Sequence, residues 1–563
     1  MSARPGPAWL LPLGASLLGP AVLATWWWGW GDGATRLSSL GSLLYWWMPL
    51  TLGFAGACLV WRFRARSASA AELARAWWPG ALLALAAVFV VLLASPPQMR
   101  VQFDETSLLG VSQNMHLHGR AVMTTGAIPF EGQPFPLENM VDKRPTLFAY
   151  LCSLVHGVAG YRVENAFVVN AALLWLGLFS VFAAVRARLG LAAGLAAPLW
   201  LVAVPLTSVV ATSAGFELLA TVTLALATIA ALGFVARPDE PRFAALLGCG
   251  ALFAQSRYES LPAAVLLGLL AAFAARGRFV MTTRCRWALA AVPTLVAPLV
   301  LLADHARDPN FTPEAAGRAL VSFANFADHV TPFLSALFSP SPDNAMPGIV
   351  AIVGVLSLGM RVRAGQASKG DLLVAAPAAA ITLLVLAWFY SDAGDPTALR
   401  LFLPVAWLCA LAPLALARAL ARRGALLTLG LAVALAGLRI RDVALGRAFP
   451  TLDMAALTTA LDGVVARLPG DPGRTLWVGA AAQHLIVKGH AAVSVRTFQR
   501  LGARVSQLQR QGDLSALYLV ETPIDRDMEP AFGAPRELLQ RYPSEVVERV
   551  GGKMPVTVHR LGR

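Results

Sequence analysis

The chain runs again and again for roughly twenty residues with hardly a charge, and this restricts it more than any motif does. A helix must be about that long to cross the hydrocarbon core of a bilayer. Within that core the backbone can satisfy its own hydrogen bonds only as helix or closed barrel. Runs near 9–30, 42–61, 77–95, 163–185, 189–207, 214–236, 242–255, 260–275, 287–303, 348–361, 372–391, 400–418 and 424–438 predict about thirteen spans. The pair around 242–275 is short enough to be re-entrant instead. The first run ends in "TWWWGW" without a small-residue cleavage site, so it reads as a span and not as a secretory leader. With 57% hydrophobic and 14% charged residues, the chain carries more apolar surface than one soluble core could hide. The expectation is a polytopic α-helical membrane protein.

Lys and Arg in short loops are retained on the cytoplasmic side. From a cytoplasmic N-terminus, "RFRARSASAAELARA", "RARLG", "ARPDEPR", "RGRFVMTTRCR", "RVRAGQASKG" and "ARALARRG" all fall inside. Loops at 96–162 and 304–347, with everything after 445, then lie on the outer face. The formal charge of +14 is mostly this bias, and no basic run interleaved with aromatics points to nucleic acid. Richness in Ala, Arg and Gly suggests a GC-rich bacterium, hence the inner membrane and a periplasmic outer face. The five cysteines, at 58, 152, 249, 285 and 409, show neither CxxC nor zinc spacing, so no disulfide framework or structural metal is expected.

After about residue 445 the apolar runs shorten. "TLWVG", "AVSVRTF", "ALYLVET", "EVVERV" and "VTVHRL" read as strands, with "AAQHLIVKG" and "FQRLGARVSQLQRQG" as helices between the first three. The region 445–563 thus predicts a small α/β domain of roughly 110 residues, acting as a lid or docking surface over the outer face. It has no glycine-rich phosphate loop and no nucleophile elbow. Residues 1–76 form two leading spans with a cytoplasmic loop, and 77–440 the main transmembrane domain.

The loop 96–162 is unusually polar and punctuated by Pro and Gly, and long loops between spans are often functional. "ETSLLGVSQNMHLHGR" has a loose helical pattern that fits a helix lying along the interface. Asp104 and Glu105 stand at its start, where a carboxylate also serves simply to cap free N–H groups. Lys143 and Arg144 in "VDKRPTLFAYL", Arg257 in "AQSRYESLPA" and Arg400 in "DPTALRLFLPVAW" are outer-side cations that break the inside bias. Each has a plain reading: snorkelling to head groups for Lys143 and Arg144, a local pair of Arg257 with Glu259, stacking of Arg400 on aromatic rims. Together, at one membrane depth, they are what a lipid-linked phosphate needs, since Arg grips phosphate with a planar fork and Lys as a point charge.

The succession of "DE" after a span, a long loop ending "KRPTLFAYLCSLVHGVAG", then "ENAFVVNAALLWLGLFSVFAAVRARLG", "RYE" and "LRLFLPV" resembles the GT-C fold of membrane glycosyltransferases. It is most similar to the protein O-mannosyltransferase and lipid A aminoarabinose transferase branch, over roughly residues 77–420. Two spans precede the one before the acid pair, and "KRPT" stands where that branch has a double proline. The resemblance implies an inverting transfer from a polyprenyl-phosphate sugar to a hydroxyl on a lipid, glycan or protein at the outer face. Asp104 would be the base, and Glu105 would orient the acceptor or the juxtamembrane helix. Lys143, Arg144, Arg257 and Arg400 would hold the carrier phosphate and stabilise the leaving oxyanion. His116, His118 and Glu259 are second-rank candidates beside the acceptor or behind these groups.

No cofactor is expected. His116 and His118 are two apart, and such positions do not face together on a helix, so a divalent metal is not favoured. Glu217 and Glu164 lie near outer span ends and read as interface residues, although ionisable groups in spans are functional by default. The rival classes are a lipid-linked-sugar transporter or flippase, and a non-catalytic membrane scaffold. A transporter would show inverted repeats and midplane polar groups, and neither is seen.

Overall fold

The computed structural model describes residues 10–29, 33–65, 69–305, 319–341, 343–363, 368–419, 421–447, 453–468, 471, 473–525, 532–552 and 554–562. Part of the expected outer loop 304–347, namely 306–318 and 342, and parts of three basic loops, 66–68, 364–367 and 420, lie outside the described residues.

The first part of the chain is α1 (Leu10–Gly29), α2 (Gly33–Arg64), α3 (Ala70–Ala94), α4 (Gln102–His118), the hairpin β1 (Met123–Phe130) and β2 (Gln133–Met140), and α5 (Leu147–Ala159). The bundle continues with α6 (Asn165–Leu189), α7 (Leu191–Val202), α8 (Pro205–Ala211), α9 (Glu217–Ala236), α10 (Glu240–Ala254), α11 (Ser260–Ala274) and α12 (Thr283–His305). It closes with α13 (Phe323–Phe338), α14 (Ile349–Arg363), α15 (Lys369–Leu386), α16 (Pro396–Leu399), α17 (Leu403–Leu411), α18 (Leu414–Ala419) and α19 (Ala421–Ala444).

Every apolar run named above is helical, yet they are unequal. Among the described residues seven helices are long and apolar enough to cross a membrane, or eight if the bent pair α7–α8 is one span. That pair bends by 72°. Pro205 opens α8, and a residue before proline is driven out of the helical region, as extended Val204 shows with φ −88 and ψ 111. The run 400–418 is likewise cut by Pro404 and Pro413 into a 3₁₀ turn, α17 and α18. Capping boxes on Ser69 with Glu72 and on Ser368 with Asp371 start α3 and α15. Close packing rests on small residues: a Cβ added at Gly80 on α3 would overlap the ring of buried Phe182 on α6.

The C-terminal part comprises α20 (Asp453–Arg467), β3 (Thr475–Val478), α21 (Ala482–Val487), β4 (Ala492–Val493), α22 (Val495–Gln511), β5 (Ala516–Glu521), α23 (Pro535–Arg541), β6 (Ser544–Val550) and β7 (Val556–Leu561). Its sheet has the order β4-β3-β5-β7-β6, the first three strands parallel and the last two joined antiparallel. All five expected strands are present. "AVSVRTF" is the exception in extent: Ser494 accepts the Thr497 N–H and caps α22, so the strand stops at Val493 and the helix starts three residues earlier than the sequence suggested.

The hairpin β1–β2 had no counterpart in the sequence reading. β1 is buried, and its Ala127 and Ile128 enter the cores on opposite faces of the C-terminal sheet. Successive strand residues point to opposite sides, so one strand can serve both cores. Further ties are the Glu138–Arg500 pair at 2.6 Å and the Tyr161 hydroxyl donating to the Val487 carbonyl at 2.8 Å. The α/β domain therefore sits on the end of the bundle that carries α4.

Candidate active site

α3 ends at Ala94, and Pro96 and Pro97 prevent its continuation. The chain then turns on Arg100, which is 6% exposed. Its guanidinium donates to Ser95 Oγ and Thr212 Oγ1, both at 2.9 Å, and its backbone N–H donates to Glu105 Oε2 at 2.9 Å. This anchoring aims the two acids of α4 in different directions. Glu105 is sealed, at 1% exposed, and burial pushes its carboxyl up to about 8. Asp104 faces a cluster of arginines.

One carboxylate oxygen of Asp104 accepts from Arg144 and the other from Arg400. Burial would raise the Asp104 carboxyl, but the two guanidiniums outweigh it and hold it far below the usual carboxylate range. Arg144 also reaches Asp142 Oδ1 at 2.7 Å. Arg400 reaches Glu217 Oε1 at 2.8 Å; Glu217 meets Arg257 at 3.3 Å, and Arg257 pairs with Glu259. Acids and arginines thus alternate along one line: Asp142, Arg144, Asp104, Arg400, Glu217, Arg257, Glu259. Four carboxylates face three guanidiniums, so each arginine is oriented by charged partners.

Each member is set by its own local device. Asp395 accepts the Thr397 N–H at 2.8 Å, and Arg400 Nε donates to the Thr397 carbonyl at 2.9 Å, fixing that guanidinium. Buried Asn170 donates to the Ser213 and Gly215 carbonyls at 2.7 and 2.9 Å, pinning the turn that presents Glu217 at the start of α9. Arg257 lies 4.6 Å over the Phe216 ring, a cation–π contact. Beside the line is a cleft lined by Glu217, Arg257, Glu259, Ser260, Arg400 and Pro404. Asp142 Oδ2 and the Tyr258 hydroxyl are buried nearby with no hydrogen-bond partner among the described residues. On the α/β domain's side, Phe532 stacks on Phe103, the neighbour of Asp104, at 5.8 Å and 12°.

The structure thus brings together Asp104, Arg144, Arg257, Arg400 and Glu259 of the residues expected from sequence. Lys143 is half-buried beside Asp142, on whose carboxyl its charge acts. Asp104 does not cap α4: the N-cap is Val101, and the acid stands in the first turn. His116 and His118 do not join the line. They lie twelve and fourteen residues further along α4, about 18 and 21 Å along its axis. His116 instead approaches His156, with ring centroids 5.8 Å apart. Among the described residues no three His, Cys, Asp or Glu side chains are grouped so as to hold a metal. Glu217 and Asp142 are the members that the sequence reading did not place in the site. The signal for Glu217 was an acid opening an otherwise apolar span; for Asp142 it was an acid directly before "KR".

An apolar helical bundle with a small α/β domain on the end that carries α4 is a fold found in solved structures. The chain is similar to ArnT from Cupriavidus metallidurans in the apo state, at TM-score 0.54 and 16% identity, covering 86% of this chain and 98% of that one. It is similar to the same enzyme bound to undecaprenyl phosphate at TM-score 0.53 and 15% identity, covering 85% and 97%. No protein-family model and no curated protein matches the sequence.

Proposed function

We propose that this protein is an inverting glycosyltransferase moving a sugar from a polyprenyl-phosphate carrier to a hydroxyl acceptor at the non-cytoplasmic face of the membrane. The observation that carries the reading is the grip of Arg144 and Arg400 on the Asp104 carboxylate. The similar solved structure with bound undecaprenyl phosphate supports the carrier class.

The acceptor oxygen attacks the anomeric carbon, the bond from that carbon to the phosphate oxygen breaks, and the phosphate departs with the electron pair. Displacement from the far side inverts the configuration. Arg144, Arg400 and Arg257, with Lys143 close by, neutralise the leaving phosphate. Asp104 takes the hydroxyl proton. A carboxylate held by two arginines is always ionised but a weak base. Arrival of the carrier phosphate divides the attention of both guanidiniums, and Asp104 becomes more basic when substrate is present. Asp142 Oδ2 and the Tyr258 hydroxyl offer hydrogen bonds to the hydroxyls of the donor sugar. Glu105, sealed below, positions the start of α4.

The test is transfer of radiolabelled sugar from a panel of undecaprenyl-phosphate sugars to envelope extract by the full-length protein in nanodiscs. Asp104→Asn should lower transfer by about a thousandfold while undecaprenyl phosphate still binds. Transfer at the wild-type rate in that variant, or lipid movement across the bilayer with no transfer in the wild type, would overturn the reading.

A further inference from the structure

α22 carries a row of charge that the transfer site does not use. Its seventeen residues contain four arginines and no acid. Val495, Phe498, Val505 and Leu508 are buried in the domain core, while Arg496, Arg500, Arg504 and Arg510 are exposed. At 3.6 residues per turn the four arginines occupy a sector of about 120°, in a row about 21 Å long, with about 6 Å between successive members of the first three. Arg500 meets Glu138; Arg504 donates to Gln507 Oε1 at 3.0 Å and Arg510 to the Ser506 carbonyl at 3.3 Å, both uncharged oxygens.

The N-terminal end of the row is joined to the neighbourhood of Asp104 through packed residues. A Cβ added at Gly533 would lie 3.0 Å from the Arg496 backbone nitrogen, and the preceding residue, Phe532, is the one stacked on Phe103 beside Asp104. From Asp104 the packing runs through its neighbour Phe103 to Phe532, then by Gly533 to the backbone of Arg496, where the row of Arg496, Arg500, Arg504 and Arg510 starts. A helix that lies in a bilayer interface shows its apolar face to lipid. In α22 that face is used up inside the domain, and the exposed residues are the four arginines with Ala503, Ser506 and Gln511, no large apolar side chain among them. The spacing is close to one sugar or phosphodiester unit, so a flexible chain with one negative charge per unit can meet each arginine in turn.

We propose that α22 is a binding track for a linear anionic glycan and that it feeds the end of that glycan to Asp104, making a polyanionic polysaccharide the acceptor. This rests on the transferase reading above, and the test is therefore run on binding alone, with no sugar donor present.

Full-length protein in nanodiscs of zwitterionic lipid is titrated with dextran sulfate, with neutral dextran as control, at several salt concentrations. The double variant Arg504→Gln, Arg510→Gln is compared with the charge-matched pair Arg549→Gln, Arg560→Gln at exposed positions of β6 and β7. The expected result is binding of dextran sulfate only, weakened about tenfold or more and with a flatter salt dependence in the α22 pair, but under about threefold in the strand pair. Equal weakening in both pairs, or no binding, overturns the proposal. So does binding of phosphatidylglycerol vesicles through Arg504 and Arg510 without binding of dextran sulfate, which would make the row a membrane contact. If Asp104→Asn abolishes transfer while the α22 pair binds like wild type, only the track fails; if Asp104→Asn leaves transfer intact, the transferase reading fails and the binding result stands.

Discussion

Asp104 and Arg400 are 296 residues apart in the chain and share one ion pair, the carboxylate reaching across from α4 to the turn that opens α17. Arg400 also holds Glu217, so a single guanidinium ties α4 to α9.

Removing that guanidinium leaves half-buried Asp104 and buried Glu217 each short of a partner. Arg400→Gln should lower stability by about 3 to 5 kcal/mol, and adding Asp104→Asn should restore part of the loss. A double-mutant cycle read by thermal unfolding in detergent should give a coupling of about 0.5 to 3 kcal/mol between the two sites. Strictly additive losses would mean that the pair does not form in solution.

Glu105 predicts a pH dependence of definite sign. Its folded-state value, pushed up to about 8 by burial, lies above its ordinary value, so the folded state binds the proton more tightly. Its contribution is fully present below the ordinary glutamate value and is lost as pH rises to about 8. Glu105→Gln keeps an oxygen for the Arg100 N–H without a titrating charge. Its melting temperature should therefore gain on wild type between pH 5 and pH 8, and parallel curves would contradict the sealed carboxyl. Asp104 has the opposite sign: its stability is present above the ordinary aspartate value and fades only in acid below it.

Gly80 tests the bundle packing. Gly80→Ala places a methyl against the Phe182 ring and should destabilise by about 1 to 3 kcal/mol. Phe182→Leu in the same chain should recover part of this; a neutral Gly80→Ala would show that α3 and α6 are further apart.

Tyr161 tests the seat of the α/β domain. Tyr161→Phe loses the hydrogen bond to the Val487 carbonyl and should cost about 1 kcal/mol. Proteolysis should detect it as faster release of the C-terminal part, and an unchanged rate would mean that the hairpin and the packing of α21 on α4 hold the domain without it.

The apolar runs and the alternating strands of the C-terminal part were legible because each is a local pattern: length against bilayer thickness, and periods of 3.6 and 2. Asp104, Arg144, Arg257 and Arg400 were legible as charges where an apolar chain has little reason to keep them. Their partners were not. That Asp104 pairs with Arg144 and Arg400, that Glu217 belongs beside them, and that His116 points elsewhere follow from how α4, α9, α11 and α17 pack. The hairpin was missed because "QPFPLENM" lacks a strand's usual alternation and contains two prolines, which an edge strand tolerates. Sequence alone determined the long apolar helices, the five strands of the C-terminal sheet and where charge is concentrated, because those properties depend on neighbours along the chain. Tertiary structure decided which charges meet, because an ion pair depends on distances of a few ångströms between elements hundreds of residues apart.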